Sequence, residues 1–272
     1  MSLVRERASK RAAGLPGAPP TAGLADLPGF AVQAAFLDHC PPSLAQVLPA
    51  LAADGGHDIT IVPLLLTAAY HAAIDVPAQL ATASAGLPRL RLRQAAALGP
   101  HPLLLAAAQR RLGQAIAPGL PAERTSVVLA AAGSSDPQAN AQVAELAARW
   151  QETSRWRRVV PAYASAASPS PADAVRALRD DDAGGQVVVA TYLLAPGYFA
   201  DKVLRQARQA GAAAVSAPLG AAPEVADVII DRYLEAVHGP FTARSWLPVA
   251  APQDEVHAAM PAHRYESPFH GQ

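Results

Sequence analysis

Asp38 and His71 pair a carboxylate with an imidazole, and each follows an apolar run that reads as a β-strand. The runs are Ala31-Val-Gln-Ala-Ala-Phe-Leu37 and Ile59-Thr-Ile-Val-Pro-Leu-Leu-Leu66, the second followed by Thr67-Ala-Ala-Tyr-His71. In an open parallel sheet, side chains just beyond the carboxyl ends of neighbouring strands converge on one crevice. An imidazole with a carboxylate suits divalent first-row metals. Two protein ligands make an open, weak site, fit for passing an ion on; a structural zinc site needs four closed ligands.

Strands are needed to bring such residues together, and the chain supplies them at regular intervals. Runs rich in Val, Ile, Leu and Ala predict strands over 31–37, 58–66, 90–95, 125–131, 158–164, 186–194 and 212–217. Helical periods predict helices over 42–52, 71–85, 101–116, 137–151, 171–179, 199–209 and 222–237, with an earlier one starting near Leu3. This βαβα alternation implies an α/β fold with parallel sheets flanked by helices.

The chain also repeats itself. Leu64-Leu-Leu-Thr-Ala-Ala-Tyr-His71 aligns with Tyr192-Leu-Leu-Ala-Pro-Gly-Tyr-Phe199. Ala35-Phe-Leu-Asp-His-Cys-Pro-Pro-Ser43 aligns with Ala162-Tyr-Ala-Ser-Ala-Ala-Ser-Pro-Ser170, and Leu98-Gly-Pro-His-Pro102 with Leu219-Gly-Ala-Ala-Pro223. Three ordered matches at offsets of 128, 127 and 121 residues indicate two tandem related halves. Pro118-Gly-Leu-Pro121 breaks a helix and marks the join. The halves are expected at 1–118 and 119–239, with a Pro- and Gly-rich surface loop at 14–29 and a disordered tail over 240–272.

Composition narrows the function classes. The chain has 272 residues, 51% of them hydrophobic, which is enough for a sizeable core. Basic and acidic residues balance at 22 each, so no basic surface for nucleic acid is expected. The single cysteine, Cys40, excludes an intramolecular disulfide and fits a reducing compartment. With no signal-peptide core and no apolar run of bilayer length, the expected location is cytoplasmic. No G-x-x-x-x-G-K-[ST] loop occurs, so no nucleotide cofactor is expected.

Three motifs together resemble the sirohydrochlorin chelatase family, the CbiX-type chelatases of cobalamin and siroheme biosynthesis, in its long tandem form. They are Phe36-Leu-Asp-His-Cys-Pro-Pro-Ser43, Val62-Pro-Leu-Leu-Leu-Thr-Ala-Ala-Tyr-His71 with Asp75-Val-Pro77, and Ala131-Ala-Gly-Ser-Ser-Asp-Pro137. The resemblance spans roughly residues 31–238. It implies a lyase that inserts divalent cobalt or iron into sirohydrochlorin without ATP, the metal being a substrate and the tetrapyrrole the partner. Family members use a histidine in a strand-end His-Gly-Ser or His-Gly-Thr loop, then an acidic residue after the next strand, then a second histidine. Asp38 matches the acidic position, where glutamate is more usual, and His71 matches the second histidine. Ala132 stands at the first histidine's position in the second half. In the first half that position falls before Met1, so the first half is expected to lack its first strand.

On this reading Asp38 and His71 are the catalytic and metal-handling residues. A neutral His71 could ligate the ion or accept a pyrrole proton, and the first turn of its predicted helix disfavours the imidazolium. Asp38 would ligate or relay protons. Ser43, Tyr70, Ser134 and Ser135 are the candidate substrate-binding residues, with Arg89, Arg91 and Arg93, or helix N-termini near Ser43 and Ser134, as partners for substrate carboxylates. The loop at 133–137 has an equally good structural explanation, since Asp136 suits an N-cap and Pro137 the first helical position. Ser165 and Phe199 replace Asp38 and His71 in the second half, which would then shape the cleft. His39 reads as a surface or packing residue, Cys40 as a small buried one, and the tail histidines His257, His263 and His270 as solvated. The missing histidine keeps open a second reading, a non-catalytic tetrapyrrole or metal-binding member. A hydrolase using Ser134 is disfavoured because G-x-S-x-G is absent.

Overall fold

The computed structural model describes Val4, Glu6, Arg7 and residues 31–37, 40–67, 76–182 and 184–238. A two-stranded sheet joins β1 (Asp58–Ile61) to β2 (Arg91–Gln94). A four-stranded sheet runs β4 (Arg158–Tyr163), β3 (Thr125–Ala131), β5 (Gln186–Thr191), β6 (Ala214–Val215). Every ladder is parallel, as the alternation with helices requires. The helices are α1 (Leu44–Ala53), α2 (Val76–Ser84), α3 (Pro102–Ala115), α4 (Pro137–Thr153), α5 (Pro171–Asp181), α6 (Tyr198–Gln209) and α7 (Pro223–His238). Among the described residues no helix is long and apolar enough to cross a membrane. The expected surface loop at 14–29 and the tail at 240–272 lie outside the described residues.

Local chemistry sets the helix starts. Asp136 caps α4 by accepting from Gln138 N at 2.8 Å, and Ser170 caps α5 by accepting from Asp173 N at 3.2 Å. His101 caps α3, its Nδ1 accepting from Leu103 N at 3.2 Å. Each of these helices opens on proline, whose missing N–H costs nothing at that position.

The four-stranded sheet is buried on both faces, and its side chains alternate between two cores. Val127, Leu129, Val188 and Ala190 face α3 and α4, where Leu104, Leu112, Leu146 and Trp150 pack. Val128, Ala130, Val187 and Val189 face α5 and α6 through Val175, Leu178 and Val203. The smaller sheet packs Leu92, Ile59 and Ile61 against Leu44 and Leu48 of α1 and Leu80 of α2.

The strand expected at 31–37 does not form. Residues 31–35 carry no ladder, and Phe36 makes only an isolated parallel bridge to Ser43. The repeat explains why. The counterpart of this segment is β4, which pairs only with β3, and no described strand of the first half occupies the place of β3. A strand needs a partner to satisfy its backbone, and among the described residues no ladder takes up this segment. Among the described residues the first half thus has two strands where three were expected, while the second half has its four.

The last helix of each half crosses to the other. α3 lies on β5 and β6 of the second sheet, and α7 lies on β1 of the first. The exchange is reciprocal. Arg111 on α3 donates from Nε and Nη2 to Leu219 O at 3.0 and 2.9 Å. Its repeat counterpart Arg232, on α7, donates to Ala97 O at 2.8 Å and to Leu98 O at 3.1 Å, Leu98 being the counterpart of Leu219. Residue i reaching j while j's copy reaches i's copy is the geometry of an isologous interface, here within one chain. Between the two helices Arg110 holds Glu224 in a bidentate pair at 2.8 and 3.0 Å.

Arg232 also donates to Pro100 O at 3.3 Å, so truncating it strands three carbonyls. Arg232→Ala is expected to lower the unfolding free energy by about 2–3 kcal/mol, and Arg111→Ala by about 1–2 kcal/mol, in urea titrations. His101 sits beside this latch. Burial and then the charge of Arg232 hold its pKa below the ordinary 6.5, outweighing Asp231, whose Oδ2 lies 3.8 Å from Nε2. Between the folded and ordinary values the unfolded chain binds more protons, so stability falls as pH drops below 6.5 and is restored as it rises. His101→Asn keeps a capping acceptor and is expected to flatten that part of the curve in unfolding measurements between about pH 5 and 8.

Candidate functional site

Described residues on either side of Asp38 are tied together. Phe36 N donates to Pro42 O at 2.9 Å. Tyr163 N makes the same bond to Pro169 O at 2.9 Å in the second half, around Ser165. Cys40, expected to be buried, is exposed, and Asp38 itself lies outside the described residues. Its neighbour Leu37 packs into the first-half core and accepts from Gln79 Nε2 of α2 at 3.4 Å, which ties Leu37 to a helix. Ser43 is the N-cap of α1, and its N–H donates to Gln46 Oε1 at 2.8 Å.

Tyr70 and His71 also lie outside the described residues, between Thr67 and Val76, the buried first residue of α2. The segment leading to them is anchored by Gly99, whose N–H donates to Leu65 O at 3.1 Å. A Cβ at Gly99 would collide with the carbonyl oxygen of Leu66, so only glycine allows the β1 and β2 ends to approach this closely. No candidate role fell on Gly99 from sequence. The signal for it was present in the Leu-Gly match of 98–99 with 219–220.

In the second half, Ser134 and Ser135 follow β3 at the same end of the sheet as Ser165. Ser134 Oγ accepts from Asp136 N at 3.0 Å, while Asn140 bonds both Ser134 N at 3.0 Å and Ser134 O at 2.7 Å. Tyr163 Oη donates to Asn140 O at 2.8 Å and braces the loop from β4. Ser135 is exposed. Gly133, with φ +85°, presses against Ser165 O, so the two strand-end loops touch. Tyr192, just after β5, is buried, and its hydroxyl has no hydrogen-bond partner among the described residues; burial pushes its pKa well up.

The strand ends of the two halves meet. Val62 and Leu66, beyond β1, pack against the same core cluster as Leu98, Tyr192, Leu194 and Leu219, which follow β2, β5 and β6. Leu66, shortly before the segment that carries His71, therefore lies at the end where the halves join. Arg89 and Arg91 are at the opposite end. Arg91 opens β2 and Arg89 precedes it, so neither can serve a ligand at the carboxyl ends. That corrects their assignment as partners for substrate carboxylates; Arg93, third in the strand, lies nearer the right end. Among the described residues no three His, Cys, Asp or Glu side chains gather as a metal-binding group.

Comparison with known proteins agrees with the repeat. The CbiX family model matches residues 21–115 and again 126–236. A sirohydrochlorin ferrochelatase of Bacillus subtilis (strain 168) is 28% identical over 204 residues, 74% of this chain and 77% of that protein. A sirohydrochlorin cobaltochelatase of Priestia megaterium is 27% identical over 51% of this chain and 45% of its own length. The solved structure of SirB from Bacillus subtilis with Fe3+ superposes with a TM-score of 0.65 at 27% identity, covering 74% of this chain and 80% of that one.

The Gly99 contact has a direct test. Gly99→Ala is expected to destabilise by about 2–3 kcal/mol in chemical unfolding, because two backbone segments must part to admit one methyl group.

Proposed function

We propose, on the premise that this chain belongs to the CbiX family, that it inserts a divalent metal, iron or cobalt, into sirohydrochlorin. The observation that carries the reading is the double match of the family model, one match per half, with Asp38 and His71 present in the first copy only. The named relatives act on the same tetrapyrrole with iron in one case and cobalt in the other, which supports both metals as candidate substrates.

The chemistry asks little of a protein beyond placement. Two pyrrole protons must leave as the metal enters, and the ion must be held firmly enough to arrive but loosely enough to be released. A neutral His71 offers one nitrogen, and Asp38 one carboxylate oxygen, a ligand pair that leaves most of the coordination sphere to the macrocycle. Once the metal has moved on, the same two groups can carry the displaced protons towards solvent. Ser43, Tyr70, Ser134 and Ser135 are the proposed contacts to the tetrapyrrole, with Ser134 presenting backbone groups since its hydroxyl already accepts from Asp136. No nucleotide takes part.

Purified protein mixed with sirohydrochlorin and Co2+ or Fe2+, without ATP, is expected to speed the absorbance change of metal insertion. His71→Ala is expected to reduce the catalysed rate by about a hundredfold or more, and Asp38→Asn by a smaller factor. Saturable binding of sirohydrochlorin with no acceleration would favour the non-catalytic binding reading, which the alanine at position 132 makes the natural second choice.

A further inference from the structure

Four large hydrophobic side chains are exposed among the described residues: Phe36 at 43%, Leu64 at 51%, Tyr198 at 67% and Phe199 at 40%. Single exposed hydrophobics scattered over a surface need no explanation. These are not scattered. Phe36 ends the first-half segment before the Asp38 loop, Leu64 follows β1, and Tyr198 and Phe199 open α6 beyond β5. Phe36 therefore lies at the carboxyl end of a strand-like segment and the other three just past the carboxyl end of a strand, at the end of the sheets where the halves meet.

Tyr198 and Phe199 also pack as a pair. Their ring centroids are 5.4 Å apart at an interplanar angle of 72°, an edge-to-face contact. Gly197 precedes them at φ +143°, a backbone conformation that side-chain-bearing residues rarely adopt, and its turn starts the helix on this pair. In the repeat, Tyr198 and Phe199 occupy the positions of Tyr70 and His71. The second half has thus replaced an imidazole by a phenyl ring at the corresponding place, and left that ring and its neighbour in water.

We infer that Tyr198 and Phe199 form a docking platform for the apolar, flat face of the tetrapyrrole macrocycle, with the second half holding the substrate by aromatic contact while the first handles the metal. The inference rests on the chelatase reading above and adds to it a role for the half that lacks ligating residues. An extended π-system is the ligand an exposed aromatic pair suits, because stacking and edge contacts both recover the area now in water. Phe199 cannot bind a metal or move a proton, so its contribution is confined to affinity.

The test compares wild-type protein with the Tyr198→Ala/Phe199→Ala double variant, following sirohydrochlorin binding by absorbance titration and cobalt insertion by initial rates. Expected are a rise of about tenfold in Kd and KM, the scale of an aromatic contact, with kcat within about twofold. The Tyr198→Phe/Phe199→Tyr variant, which keeps both rings, is expected to restore wild-type KM. Unchanged Kd and KM in the alanine variant, while wild-type protein inserts metal, would overturn this inference and leave the chelatase reading standing. A loss of self-association in sedimentation runs with unchanged affinity would overturn it too, in favour of a second copy of the chain as occupant. Wild-type protein that neither binds nor metallates sirohydrochlorin would overturn both readings.

Discussion

The two arginines at equivalent places in the repeat, Arg111 and Arg232, hold the molecule in its present form. Each sits on the last helix of its own half and bonds main-chain carbonyls in the loop that precedes the other half's last helix. A guanidinium presents several donors in a rigid fork, so one side chain can satisfy neighbouring carbonyls that would otherwise be left without partners at a buried turn. Much else follows from this exchange. It seats α3 on the larger sheet and α7 on the smaller one, and brings the carboxyl ends of both sheets to a common cluster around Leu98 and Leu219 that also takes up Leu66.

The duplicated halves have diverged unevenly around that shared scaffold. The bond from Phe36 N to Pro42 O has its twin in Tyr163 N to Pro169 O, and the N-cap Ser43 has its twin in Ser170. Supporting features are thus kept in both copies. Chemistry-bearing positions are not: Ser165 stands for Asp38 and Phe199 for His71. A scaffold built from matched backbone contacts tolerates such replacement, because the loop closures depend on main-chain atoms and on small residues such as Gly99 and Gly133.

Most elements were legible in the sequence because their signals are local. Consecutive valines in apolar runs marked β3 and β5, and Asp136-Pro137 and Ser170-Pro171 marked the starts of α4 and α5. The strand expected at 31–37 was misread for a non-local reason: its composition suits a strand, but strand formation depends on a partner, and none of the described residues supplies one. The exchange of α3 and α7 was hidden for a similar reason, since an apolar helix face says that it must be covered without saying which sheet covers it. Arg89 and Arg91 looked suitable for an anionic substrate until the direction of β2 put them at the far end. For the candidate site, the bond between Phe36 and Pro42 and the Gly99 anchor were recovered from structure, whereas Asp38, Tyr70 and His71 fall outside the described residues and stand on the repeat and on family membership.

The exchanged helices carry a consequence for how the chain acquires its fold. Contacts between α7 and β1, and between Arg232 and Ala97, join residues more than a hundred positions apart, so the average separation of contacting residues is high. Such a topology defers its reward, because long loops must close before the covering contacts form. During synthesis the smaller sheet would wait, with its β1 face open, until the residues of α7 had left the ribosome. The larger sheet has no such wait, since α3 is made before it, so the natural order of assembly is the second half first around a helix borrowed from the first half.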